Sequence, residues 1–239
     1  MTELLPSHRL LVRVVAAAAL CIPLGGTSAR AAAAEPAGAE YAIRWNARDG
    51  GPTSLNETMA ILQTRATRPR QFKVDYYDIP PDSAAPPGFA TILRRRVEDG
   101  GQAELTWKLR GDHALTDWTC PWRKSRGTKA EVDVTFGGTD TVTRNYSYSC
   151  TSDSPDSAAS ELSATIRACT AVVSRRDAGS LRVEEWRLPG DVVIIEVSGS
   201  GEDAPGAMEQ FRKVVAKKLL AAGIVPLQNS KTELGSRCP

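Results

Sequence analysis

The chain has 239 residues, 24% of them charged, and its 30 Lys and Arg nearly balance its 28 Asp and Glu for a formal net charge of +2. That balance argues against a partner recruited by global charge, nucleic acid above all. Two histidines, no Gly-x-Ser-x-Gly and no glycine-rich phosphate loop exclude multi-histidine metal centres, the common serine-hydrolase elbow and the familiar nucleotide-binding turns.

Residues 1–34 read as a cleavable export signal. His8, Arg9 and Arg13 precede an apolar run from Val14 to Leu24, and Gly25 to Ala34 ends in small residues. Ala32-Ala33-Ala34 before Glu35 offers one cut and Ala29-Arg30-Ala31 another. The run is shorter than the ~20 residues of a membrane span. Cleavage after Ala34 leaves 35–239 as a single domain with 27 basic and 27 acidic side chains. This predicts a secreted or periplasmic protein with no membrane attachment after cleavage. Four cysteines remain, Cys120, Cys150, Cys169 and Cys238, which in an exported chain predicts two disulfides in one of three pairings.

The predicted elements follow in order. Tyr41–Trp45 alternates Tyr41, Ile43 and Trp45 against Ala42 and Arg44, the period of a strand. Ser54 with Glu57 forms a capping box for a helix to about Gln63. Strands follow at Phe72–Asp78 and Phe89–Val97, then a turn at Glu98-Asp99-Gly100-Gly101 and a returning strand over Glu104–Arg110. Ala130–Phe136 repeats the alternation. A helix is predicted over Ala158–Ala168, strands at Ala171–Arg176, Leu181–Leu188 and Val192–Ser198, a loop at Gly199–Gly206, and a helix over Met208–Ala222 stopped by Gly223. Eight strands with intermittent helices predict an α+β fold, an eight-stranded antiparallel β tunnel or barrel with flanking helices.

The polar faces of these strands carry Glu40 and Arg44, then Arg94 and Arg96, Lys108 and Arg110, Lys129, Glu131 and Asp133, Arg175 or Arg176, Arg182 and Glu184, and Glu196 with Ser198. Alternation alone fits any sheet with one solvated face. If the sheet closes and the helices cover its apolar side, the same residues ring a wet passage in which basic groups would seat an anion.

The ordered set Val74 to Asp82, Leu93 to Arg96, Leu105 to Lys108, Lys129 to Asp133 and Ser230 to Gly235 resembles the CYTH-like family, the triphosphate tunnel metalloenzymes. The resemblance implies an eight-stranded tunnel and metal-dependent chemistry on triphosphate or polyphosphate, a polyanionic small molecule, with Mg²⁺ or Mn²⁺ as cofactor. It implies Arg44, Arg94, Arg96, Lys108, Arg110, Arg176 and Lys231 as phosphate ligands. Glu40, Glu131, Asp133 and Glu196 would be the metal ligands, with Glu131 and Asp133 also catalytic. Arginine forks suit phosphate and hard cations prefer carboxylate oxygens. Two departures stand out. Glu40-Tyr41-Ala42-Ile43-Arg44 stands where the family has Glu-x-Glu-x-Lys, and Glu196-Val197-Ser198 lacks the second carboxylate of a Glu-x-Glu pair. The implied phosphate ligands therefore survive better than the implied metal ligands, and a binder without hydrolytic activity is the alternative expectation.

Overall fold

The computed structural model describes residues 36, 38–65, 67–80, 85–122, 124–230 and 233–234, with the backbone alone at 168 and 169. The chain separates into two units, Met1–Ala32 and Ala33–Pro239, and the described residues all belong to the second. The predicted signal lies outside them.

Nine strands close into a barrel in the order β1-β5-β6-β4-β3-β2-β7-β8-β9. They are β1 Gly38–Asn46, β2 Arg70–Asp78, β3 Phe89–Glu98, β4 Ala103–Gly111, β5 Gly127–Phe136, β6 Val142–Ser152, β7 Thr165–Ala178, β8 Leu181–Leu188 and β9 Val192–Glu202. The α+β barrel class is the one anticipated, with two differences. A ninth strand, β6, lies between β4 and β5. One pairing, β1 with β5, is parallel, while β1 meets β9 antiparallel on its other side. The first strand thus closes the ring.

Helix α1 (Leu55–Leu62) begins as the capping box predicts, with Ser54 Oγ accepting the Glu57 amide at 3.3 Å. It ends at Gln63 in the left-handed region, φ 57°. Helix α2 covers Pro155–Glu161, several residues ahead of the expected position, because β7 already begins at Thr165. Helix α3 (Pro205–Phe211) runs through a π-helical turn, Arg212–Ala216, into α4 (Lys217–Ala221).

Alternation along the strands puts the apolar residues of β1, β5, β8 and β9 outside, under α1, α3 and α4, in a core holding Ile43, Trp45, Val134, Ile195 and Leu219. Each such buried side chain contributes roughly 1.5–3 kcal/mol. The outer face of β3, β4 and β6 packs on α2 and Trp122. The Cys120–Cys150 disulfide ties the loop before β5 to β6. It closes a loop with sequence separation 30, worth about 3–4 kcal/mol by chain entropy. The Cys169 side chain and Cys238 lie outside the described residues.

Inside the barrel one side is apolar, filled by Val74, Tyr76, Val173, Trp186 and Ile194, against which Leu227 and Leu234 pack. The last described stretch crosses the end where β1 and β5 finish. Trp45 bridges to Pro226, the Leu227 amide donates to the Arg44 carbonyl at 2.8 Å, and Thr143 donates to Gln228 at 2.9 Å. At Gly137 a Cβ would meet the flexible end of the Gln228 side chain, which would have to swing aside.

Candidate functional site

The remaining interior is a cavity of about 210 Å³, room for more than a dozen waters at roughly 10–15 Å³ each. Its wall is polar and assembled from seven strands consecutive around the ring, from β8 through β1 to β3. β3 supplies Arg94 and Arg96, β4 Lys108 and Arg110, β5 Glu131 and Asp133, β1 Glu40 and Arg44, and β9 Glu196. All nine were singled out in the sequence, and they share one chamber because each sits on the face opposite the helix-covered core.

Arg176 does not join them. On β7, Arg175 is in register with Glu184 on the interior face, whereas Arg176 is in register with Val183, which belongs to the outer core. Adjacent residues of a strand point to opposite faces, so the expected phosphate role of Arg176 is displaced from this chamber. Lys231 lies outside the described residues. Arg182, expected on the polar faces, also lines it, and unanticipated contributors are Thr135 and the hydroxyl row of β6, Ser149 and Thr151. In the same row, buried Ser147 faces Arg110 on one side and Glu131 on the other, and its Oγ has no hydrogen-bond partner. The signal was present in Tyr146-Ser147-Tyr148-Ser149-Cys150, where hydroxyls alternate with large groups that cover the outside.

The ion pairs divide the chamber. Asp133 is its electrostatic hub. Arg110 Nε donates to Asp133 Oδ2 at 2.8 Å, and Lys108 Nζ lies 3.3 Å from the same oxygen. Burial alone would raise the Asp133 carboxyl, but Lys108 and Arg110 outweigh it and hold it well below the usual carboxylate range. Arg44 is anchored rather than free. Its Nε donates to Glu196 at 2.7 Å and its terminal nitrogen to the Asn229 carbonyl at 3.1 Å. Glu196 is thereby committed to a guanidinium, which sets it apart from its expected place as a metal ligand. Arg94 and Arg96 have no carboxylate partner among the described residues, and Arg96 Nε is buried without an acceptor. Burial, with Arg94 beside it, lowers Arg96 to about 10.

Glu40, Glu131 and Asp133 each bring an oxygen to within 4.8 Å of the others. In an octahedral shell at ~2.1 Å, ligand oxygens stand ~3–4.2 Å apart, so a small contraction would suit a divalent ion. Asp133 Oδ1, buried and without a hydrogen-bond donor, is the available oxygen on that residue. The donor set is all carboxylate, which fits Mg²⁺ or Mn²⁺. Ala42 lines the chamber and Ser198 is buried where the family pattern has carboxylates, so the shell would be completed by water or substrate.

Burial raises the Glu131 carboxyl above the usual range, and Glu40 and Asp133 add to the rise against Lys108 and Lys129. A raised folded value means the native state holds the proton longer, so the associated stability is full below the unfolded value and lost as pH rises through the folded one. The same proton competes with a cation. Mn²⁺ affinity should therefore fall as pH drops through the raised Glu131 value, at a pH where an ordinary glutamate is still ionised. Calorimetric titration with Mn²⁺ across that range measures it, and a flat affinity would exclude Glu131 as a ligand.

No protein-family model and no curated protein matches the chain. Among solved structures, a protein of Vibrio parahaemolyticus described as a candidate adenylate cyclase is similar at 15% identity and TM-score 0.49, covering 83% of this chain and 98% of its own. A protein of Pyrococcus horikoshii is similar at 12% identity and TM-score 0.46, covering 82% and 97%. A conserved hypothetical protein of Pyrococcus furiosus is similar at 15% identity and TM-score 0.45, covering 82% and 99%. What the chain itself establishes is the architecture, a closed mixed β-barrel whose charged strand faces meet in one interior chamber.

Proposed function

We propose that this chain is an exported, divalent-metal-dependent phosphohydrolase acting on triphosphate or polyphosphate-type anions. The observation that carries the reading is the juxtaposition, inside one chamber, of two guanidiniums that make no salt bridge among the described residues and a three-carboxylate cluster. Half-buried cations without a salt-bridge partner carry a desolvation cost, and an anion relieves it. Arg94 and Arg96 bind phosphate oxygens, and Lys108 and Arg110, already oriented by Asp133, add donors from β4. Glu40, Glu131 and Asp133 would hold the ion, which when bound would supply charge neutralisation at the phosphates and acidify water. Glu131, the catalytic carboxylate of this reading, would orient the attacking water beside the ion. Asp133 stays ionised and fixes the two β4 cations. An apolar ligand has little to contact in a chamber lined by charges and hydroxyls.

Tripolyphosphate with Mg²⁺ or Mn²⁺ should release orthophosphate, and Glu131→Gln should lower the rate by about 100-fold or more while leaving the fold intact. No turnover with any divalent ion rejects hydrolysis. The second reading, a binder that does not cleave, is favoured by Ala42 and Ser198, which thin the oxygen shell. It expects tripolyphosphate to raise the melting temperature in chelator with no phosphate released at all. Absence of both shift and turnover would reject the two readings together.

A further inference from the structure

A second cavity, about 240 Å³, lies at the β3–β4 hairpin, bordered by Arg70, Arg96 and Arg175 with Phe72, Glu98 and Glu104. Arg96 and Glu104 line both this cavity and the chamber, so the two spaces meet at that pair. Three guanidiniums gather on one ring here. Arg70 and Arg96 stand 5.1 Å from the Phe72 centroid and Arg175 stands 6.0 Å away. The ring face offsets part of their repulsion, and carboxylates offset more. Arg70 Nε donates to Glu98 at 2.6 Å, Arg175 donates to Asp177 at 3.0 Å, and Glu104 is met from outside by Arg126 at 2.9 Å. Each carboxylate bordering this cavity is thus already engaged, and the cation that makes no salt bridge among the described residues is Arg96, at the junction.

We propose that this cavity is a second oxyanion subsite, continuous with the chamber through Arg96, that takes the phosphates beyond the third of a linear polyphosphate. The inference rests on the chamber being a phosphate site, and it deepens that reading by naming a chain longer than triphosphate as the ligand. Neither Arg70 nor Arg175 lines the chamber, so their substitution separates the two claims. Arg70 is a half-exposed side chain whose loss the barrel should tolerate.

The test is calorimetric titration in chelator, so that nothing is cleaved, with tripolyphosphate, a medium-chain inorganic polyphosphate and ATP. The wild type should bind the longer chain about tenfold tighter than tripolyphosphate, beyond the gain from its extra registers. Arg70→Gln and Arg175→Gln should each remove most of that preference and leave tripolyphosphate affinity within about twofold, with unchanged melting curves for Arg70→Gln. A wild type that binds tripolyphosphate with no such preference, or a preference that survives both substitutions, overturns the subsite. An arginine-dependent gain for ATP over tripolyphosphate also overturns it, because the cavity would then hold a nucleoside. Failure of all three ligands to bind would instead bring down the chamber reading beneath it.

Discussion

Replacing Asp133 with asparagine should cost the free protein about 3–5 kcal/mol, the usual penalty for removing one partner of a buried ion pair. Lys108 and Arg110 would keep their charges and lose the negative charge of the carboxylate that both contact. The wild-type carboxyl is held low, so its contribution is full above the unfolded value of about 4 and is lost as pH falls through the depressed folded value. The gap between the two proteins should therefore shrink in acid. An anion that seats on the two released cations should restore part of the loss, about 2.7 kcal/mol at a hundred times its dissociation constant. Urea unfolding with and without tripolyphosphate at several pH values reads all of this. A variant as stable as the wild type at neutral pH would show that Asp133 is not the hub described.

Arg96→Met should move stability and binding in opposite directions. The native guanidinium is half-buried, makes no salt bridge among the described residues and carries a buried Nε with no acceptor. A flexible apolar side chain of similar length removes that desolvation penalty, and the free protein should gain about 1–3 kcal/mol. Tripolyphosphate affinity should fall about 10-fold to 150-fold, the value of 1.5–3 kcal/mol for a hydrogen bond to a charged group. Lost contact with the Phe72 ring works against the stability gain without cancelling it. The decisive comparison is urea midpoint against calorimetric affinity on the same preparation. A less stable variant with unchanged anion affinity would make Arg96 a packing residue.

Much of this was legible because charge and hydrophobicity alternate cleanly on several strands. Leu105, Trp107 and Leu109 face out while Thr106, Lys108 and Arg110 face in, and Val132 and Val134 mirror them beside Glu131 and Asp133. β6 escaped notice because Thr143-Arg144-Asn145-Tyr146-Ser147 reads as polar throughout. Its outward tyrosines, Tyr146 and Tyr148, do the covering that leucine does elsewhere. The choice between Arg175 and Arg176 was illegible for a related reason. Ser174 and Asp177 flank them with no apolar anchor, so only the strand register fixes which one faces in. The commitment of Glu196 to Arg44, and the Asn229 carbonyl that completes the arrangement, belong to contacts 152 and 185 residues apart. No local pattern encodes those. The parallel seam of β1 with β5 is likewise invisible to hairpin signals, which join neighbours in the chain.

That seam has a consequence for how the protein comes into being. Because the opening strand must be gripped by β9, a nascent chain cannot close its ring until residue 202 has been made, and the stretch that seals the Arg44 end arrives later still. Contacts of such long sequence separation form late and slowly. A nascent chain that has not yet exposed residue 202 therefore has no closed chamber to fill.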